Sequence, residues 1–158
     1  MNTTELRKQL VAQLKGGQAF VPLREVLKNV PFDRVNQRPD GMPHSLWDLL
    51  EHLRITQHDI LDFSTNPNYK TIPWPEAYWP KQACPDEATW QRTKEQLFAD
   101  LDAMIKLVED PESDLFTPFA HGDGQNLLRE ALLVGEHNAY HTGQFVLVRR
   151  ALGLWKND

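Results

Sequence analysis

The chain has 158 residues, a formal net charge of −5, 41% hydrophobic and 25% charged residues, and one cysteine. That length suits one domain over residues 1–158 with a real core, and the acidic balance lacks the basic footprint of sequence-independent nucleic-acid binding. No apolar run approaches the roughly 20 residues of a membrane helix, and Cys84 has no internal disulfide partner.

The polar opening "MNTTELRKQL" has no signal-peptide core, and with the single cysteine it fits a cytoplasmic protein. Apolar residues then recur at helical spacing almost throughout, without strand-like alternation. Leu6, Leu10 and Leu14 step by four, with Asn2 the expected N-cap and Glu5 three residues later. Gly16 and Gly17 interrupt this pattern, and Phe20, Leu23, Leu27 and Val30 resume it until Pro31. This predicts one helical arm broken or bent at the glycines, each of which lowers helix propensity by about 1 kcal/mol against Ala.

After the loop "PFDRVNQRPDGMPH", Ser45 and Asp48 have the spacing of a capping box. The segment "SLWDLLEHLRITQHDILDF" then aligns Leu49, Leu53, Ile60 and Phe63 on one helical face. The stretch "STNPNYKTIPWPEAYWPKQA", residues 64–83, has no helical period and four prolines, and exceeds the usual link between antiparallel neighbours. A third helix opens at "CPDEATW", with Pro85 in a first helical position and Asp86 and Glu87 at the positive dipole end. Leu97, Leu101, Ile105 and Val108 form its buried stripe. The fourth helix runs from about Asn126 to Leu152, stopped by Gly153. The predicted fold is all-α, a four-helix bundle with a long crossover between helices two and three.

The last helix holds His137 and His141 one turn apart, on a stripe with Glu130, Val134, Phe145 and Val148 and with Gln144 at its edge. A buried imidazole needs partners for both ring nitrogens, and a metal ion takes one while an outer acceptor takes the other. The pattern H-E-x-x-H is absent, because Glu136 precedes the first histidine and Asn138 stands where a protease base would be. His52, on helix two with Thr56 and Asp59 further along the same side, supplies a third imidazole. Three imidazoles leave an open position on a divalent ion; zinc, nickel, copper and iron all accept such ligands. Of the other histidines, His58 reads as solvated, His44 as part of a turn, and His121 lies in a Gly-rich loop near one end of the bundle. Ordinary core histidines are the competing account of the trio.

The stretches "GGQAF", "HSLWDLLEHLRITQHDILDF", "YWP" and "LLREALLVGEHNAYHTGQFVLVRRALG" carry a resemblance to the DinB/YfiT-like superfamily of metal-dependent four-helix bundles, over about residues 16–153. The resemblance implies up-down-down-up connectivity and a metal triad at His52, His137 and His141. Phe20 departs from the subgroup, where the stretch after the glycine pair often ends in His. Characterised members of the superfamily include bacillithiol S-transferases and a mycothiol-dependent maleylpyruvate isomerase.

The expected site is therefore a divalent metal, zinc or nickel first and iron also suitable, with a low-molecular-weight thiol as a candidate co-substrate. A thiol-dependent S-transferase acting on a small molecule is the leading reading. A metal-dependent hydrolase and a non-catalytic, stress-related metal- or ligand-binding bundle are the alternatives, and a homodimer is compatible with each. Glu130 and Gln144 are candidates for orienting ligands or substrate. The aromatic loop is read first as packing over the bundle end, and second as a wall of the site. Cys84 lacks an activating neighbour and makes a poor nucleophile. For Gly135 and Gly143, close helix packing is the favoured reason, ahead of room for substrate.

Overall fold

The structure is a computed structural model and describes residues 3–155. Among these residues it is all-helical: α1 (Thr4–Lys15), α2 (Leu23–Val26), α3 (Leu46–Thr65), α4 (Glu87–Glu109) and α5 (Leu127–Ala151), with 3-10 turns at Phe32–Arg34 and Glu76–Tyr78. The four long helices are those expected, and α2 is the remnant of the first arm beyond its glycines. Gly16 and Gly17 have φ of +69° and +86°, left-handed values that end α1 and that an L side chain resists. The expected cap Asn2 lies outside the described residues; Thr3 is the residue preceding α1 and makes no side-chain cap bond. The buried stripe of α1 is Arg7, Leu10, Val11 and Leu14, whereas Leu6 is exposed. Arg7 turns inward because its guanidinium caps α4, donating to the carbonyls of Val108 and Ser113.

Ser45 and Asp48 close a reciprocal capping box at the start of α3, as their spacing predicted. At α4 the cap is Asp86, whose carboxylate accepts from the Thr89 amide, so Pro85 stands one residue outside the helix rather than in its first turn. A side chain that can accept from the third residue outcompetes a proline that can only tolerate the position. Asn126 caps α5, and Gly153 (φ +71°) ends it in a Schellman motif: Leu154 N–H bonds the Arg149 carbonyl and Gly153 N–H the Arg150 carbonyl.

Two apolar clusters fill the bundle. One joins Leu46, Leu49 and Leu50 of α3 to Trp90 and Leu97 of α4 and to Phe145 and Val148 of α5. The other joins Leu10 and Leu14 of α1 to Ile60, Leu101, Met104 and Val108, and to Leu127, Ala131 and Val134. From the first cluster to the second the numbering of α3 and α4 rises while that of α5 falls. Helices α3 and α4 therefore run in the same direction, with α5 against them, which fits the up-down-down-up order. A parallel pair needs a connection the length of the bundle, and the segment between Thr65 and Glu87 supplies it. That segment is pinned where it meets α4: Trp47 Nε1 donates to the Gln82 carbonyl (2.8 Å), and Asn36 brackets Cys84 with bonds to its amide and carbonyl.

Candidate metal centre

Between the two apolar clusters, α3 and α5 are joined by polar side chains. Asn138 donates to Gln57 Oε1 (2.9 Å), and Gln57 in turn donates to the Leu97 carbonyl, tying three helices together. Neither residue was expected at the centre, since an amide inside a helical pattern reads as a boundary residue unless its partner on another helix is known. Beside this rung stand His52, His137 and His141. The Nε2 of His137 lies 3.2 Å from that of His52 and 3.1 Å from that of His141, and the three ligand-capable nitrogens all fall within 4.8 Å of one another.

The outer edges of two rings are fixed. His52 Nδ1–H donates to the Tyr78 carbonyl (2.7 Å), and His141 Nδ1–H donates to Gln144 Oε1 (2.6 Å). Each ring thereby spends its single proton outward and turns an Nε2 lone pair toward the others. His137 can supply at most one proton on Nε2, and one proton cannot serve both facing lone pairs well. A cation resolves the conflict. Ligands about 2.0–2.1 Å from zinc stand about 3.3 Å apart in a tetrahedral shell, close to the spacings seen here.

His52 and His141 are each 3% exposed, and His137 is half-buried. Burial disfavours imidazolium, and neighbouring rings add repulsion; together they hold His137 at about 3 and His141 at about 4. His52 is also lowered, by burial foremost, against the opposing pull of the Tyr78 carbonyl. At neutral pH all three rings are uncharged, the form that ligates metal.

The crossover loop builds one wall. Trp79 stacks on His52 (centroids 3.9 Å, planes 3° apart) and on His44 (4.2 Å, 14°), forming a three-ring stack. The loop is tied down by Asp59, whose two carboxylate oxygens accept from the hydroxyls of Tyr69 (2.9 Å) and Tyr78 (2.7 Å). Burial, then the Asp59 carboxylate, push the Tyr69 hydroxyl up to about 12 and raise that of Tyr78 as well, so both remain donors. The favoured sequence reading of this loop as bundle-end packing is thus corrected: Tyr78 and Trp79 touch the site directly, while Trp74 is exposed.

The model of the DinB superfamily matches residues 19–145, a span that includes all three histidines and their partners Tyr78 and Gln144. The chain belongs to the DinB superfamily. No curated protein and no solved structure matches it.

In this DinB-superfamily chain the remaining expected residues fall as follows. Gln144 meets the cluster directly. Glu130 is 2% exposed, but its carboxylate pairs with Arg129 (2.7 Å) and bonds none of the three rings. It lines a polar cleft of about 330 Å³ with Asp59, Tyr69, His121 and Arg129. His121 Nε2–H donates to the Phe63 carbonyl at the end of α3 (2.9 Å), and the residue stands outside the histidine cluster. His58 is solvated and faces Asp100 (3.1 Å). The Cys84 thiol is buried and raised by that burial, as expected of an unreactive cysteine. At Gly135 an added Cβ would lie 3.0 Å from the Gln13 side chain of α1, which fits close packing. Gly143 is exposed with nothing within 4 Å, so packing does not explain it.

Proposed function

We propose that this chain is a divalent-metal-dependent enzyme of the DinB superfamily whose metal is held by His52, His137 and His141. The observation that carries the reading is the pair of outward-locked tautomers, which leaves three convergent Nε2 atoms with at most one proton among them. An all-imidazole set suits zinc or nickel, and iron also accepts it. When bound, such an ion supplies Lewis-acid chemistry that favours proton loss from a coordinated water or thiol. The chain's own residues do the positioning. Gln144 and the Tyr78 carbonyl hold two rings in their ligating tautomers, and Trp79 covers the face of His52. The half-buried His137 marks the more accessible side of the site.

The reaction proposed is transfer of a low-molecular-weight thiol to a small electrophile, in keeping with the superfamily resemblance. Purified protein should hold about one divalent ion per chain, and His52→Ala, His137→Ala and His141→Ala should each abolish tight binding. Metal-loaded protein is then assayed with several small thiols plus an electrophile, and with activated esters. Thiol transfer that disappears with the metal supports the proposal, and ester cleavage alone would favour the hydrolase. Activity that survives metal removal, or wild-type binding unaffected by all three substitutions, refutes the metal-dependent mechanism.

A further inference from the structure

The outward face of α5 is unlike the solvent face of an ordinary bundle helix. Leu132, Tyr140 and Leu147 are large apolar side chains left 42%, 65% and 52% exposed. They share one side of the helix with Glu136, Gly143 and Arg150, all exposed, because steps of three and four residues return to the same face. Contacts within the chain do not account for this face. A Cβ added at Gly143 would meet nothing within 4 Å, and Glu136 and Arg150 pair with no other described residue. A glycine inside a helix is nevertheless unfavourable by about 1 kcal/mol against alanine. Exposed apolar side chains in a row, rimmed by polar ones, mark an interaction surface.

The order of residues along the face says what covers it. Glu136 precedes Gly143 by seven residues and Arg150 follows it by seven, so opposite charges stand about 10 Å to either side of the glycine. An identical face, turned end for end about a two-fold axis at Gly143, sets Glu136 of each copy against Arg150 of the other. The same rotation sets Tyr140, three residues before the axis, beside Leu147, four residues after it. On the other side of the seam, half-buried Ala139 and Val146 meet in the same way. Glycine and alanine near the axis let the helices approach closely, since their separation follows the size of the side chains at the contact. A parallel pair would instead set Glu136 against Glu136 and Arg150 against Arg150. The charges therefore select the antiparallel arrangement.

We infer that the outward face of α5 binds a second copy of this chain, in a two-fold antiparallel helix pair centred on Gly143. Tyr140 and Leu147 supply its apolar contacts, and Glu136 and Arg150 form an ion pair between copies at each end. The inference is independent of the metal reading, because it uses none of the three histidines or their hydrogen-bond partners. One helix face is smaller than the roughly 800 Å² per partner of a standard interface, so the dimer exchanges with monomer.

The test is sedimentation equilibrium of the full chain over a series from micromolar to submillimolar protein. Wild type should pass from monomer to dimer across the series. Gly143→Lys, which puts two long cations at the axis, should stay monomeric throughout. Glu136→Arg and Arg150→Glu should each weaken the dimer about tenfold, since symmetry turns two attractive pairs into two repulsive ones. The double variant Glu136→Arg/Arg150→Glu should restore wild-type affinity, because it exchanges the charges without changing their complementarity. Each variant should keep the cooperative urea transition of dilute wild type, so that a lost dimer is distinguished from a lost fold. Wild type that stays monomeric overturns the inference. A dimer that survives Gly143→Lys overturns this face as its interface. Should Gly143→Lys not fold, the charge variants decide alone: single reversals without effect, or a double variant no better than the singles, overturn the antiparallel pair.

Discussion

The clustered rings make a quantitative demand on the metal-free protein. His137 and His141 titrate at about 3 and about 4 in the fold, against 6.5 for an unperturbed histidine. Above pH 6.5 both states are neutral and the rings add no pH dependence. Below it the unfolded chain takes up protons that the folded chain refuses, so stability falls as pH drops from 6.5 toward the folded values. At pH 5 the unfolded rings are 1.5 units below their midpoint, which costs the fold about 2 kcal/mol per ring, or about 4 kcal/mol for the pair. Provided both folded values lie below 5, this sum is set almost wholly by the unfolded midpoint. It is a large part of the 5–15 kcal/mol that stabilises an ordinary domain.

The assay is urea unfolding of chelator-treated protein at pH 7.5 and pH 5, for wild type and for a His137→Leu/His141→Leu double variant. The variant removes both titrations while filling the same space with apolar groups, a replacement that folds commonly tolerate. Wild type should lose about 4 kcal/mol more than the variant between the two pH values. Contributions from His44, His52 and the carboxylates are common to both proteins and cancel. Equal losses in the two proteins would mean that the rings are charged or solvated in the fold, and the converging neutral trio would be refuted.

Replacing Gln144 by Ala should weaken metal binding 10- to 100-fold, the usual cost of losing an outer acceptor, as measured by competition with a chromophoric chelator. An unchanged affinity would remove Gln144 from the site. Gly143→Ala should stabilise the protein by about 1 kcal/mol in urea melts without altering metal affinity, because the position is helical, exposed and open. Cys84 should react with a thiol reagent only at the rate at which the protein opens, since its sulfur is buried and its pKa raised; immediate labelling of native protein would contradict that.

The elements most legible in the sequence were those with local physical signatures. The capping box at Ser45 and Asp48, the stop at Gly153 and the apolar stripe of α4 each depend on residues within a turn or two, and each formed as expected. Leu6 failed because the step of four was read without Arg7, whose long stem packs inward while its guanidinium finishes another helix. Pro85 failed because two rules compete for one boundary, and the carboxylate of Asp86 wins it. Glu130 shares the stripe of the histidines, yet Arg129 beside it supplies a nearer partner than any ring.

The same distinction runs through the site itself. Gln144 follows His141 by three residues on one helix, so its role in holding that ring could be read from spacing alone. The corresponding acceptor for His52 is a backbone carbonyl 26 residues away, in a loop with no period to read. Its place is set by side chains: Asp59 draws in the two tyrosine hydroxyls, and Trp79 is clasped between His44 and His52. Two helices thus bring the three donors together, but the orientation of one donor depends on how the crossover is tied back to α3. Any change that frees the loop from Asp59 should therefore act on the metal through His52, with His141 keeping its own acceptor. This leaves one ring locked and another released, a difference separable from loss of the helical scaffold by the separate proton resonances of the two rings.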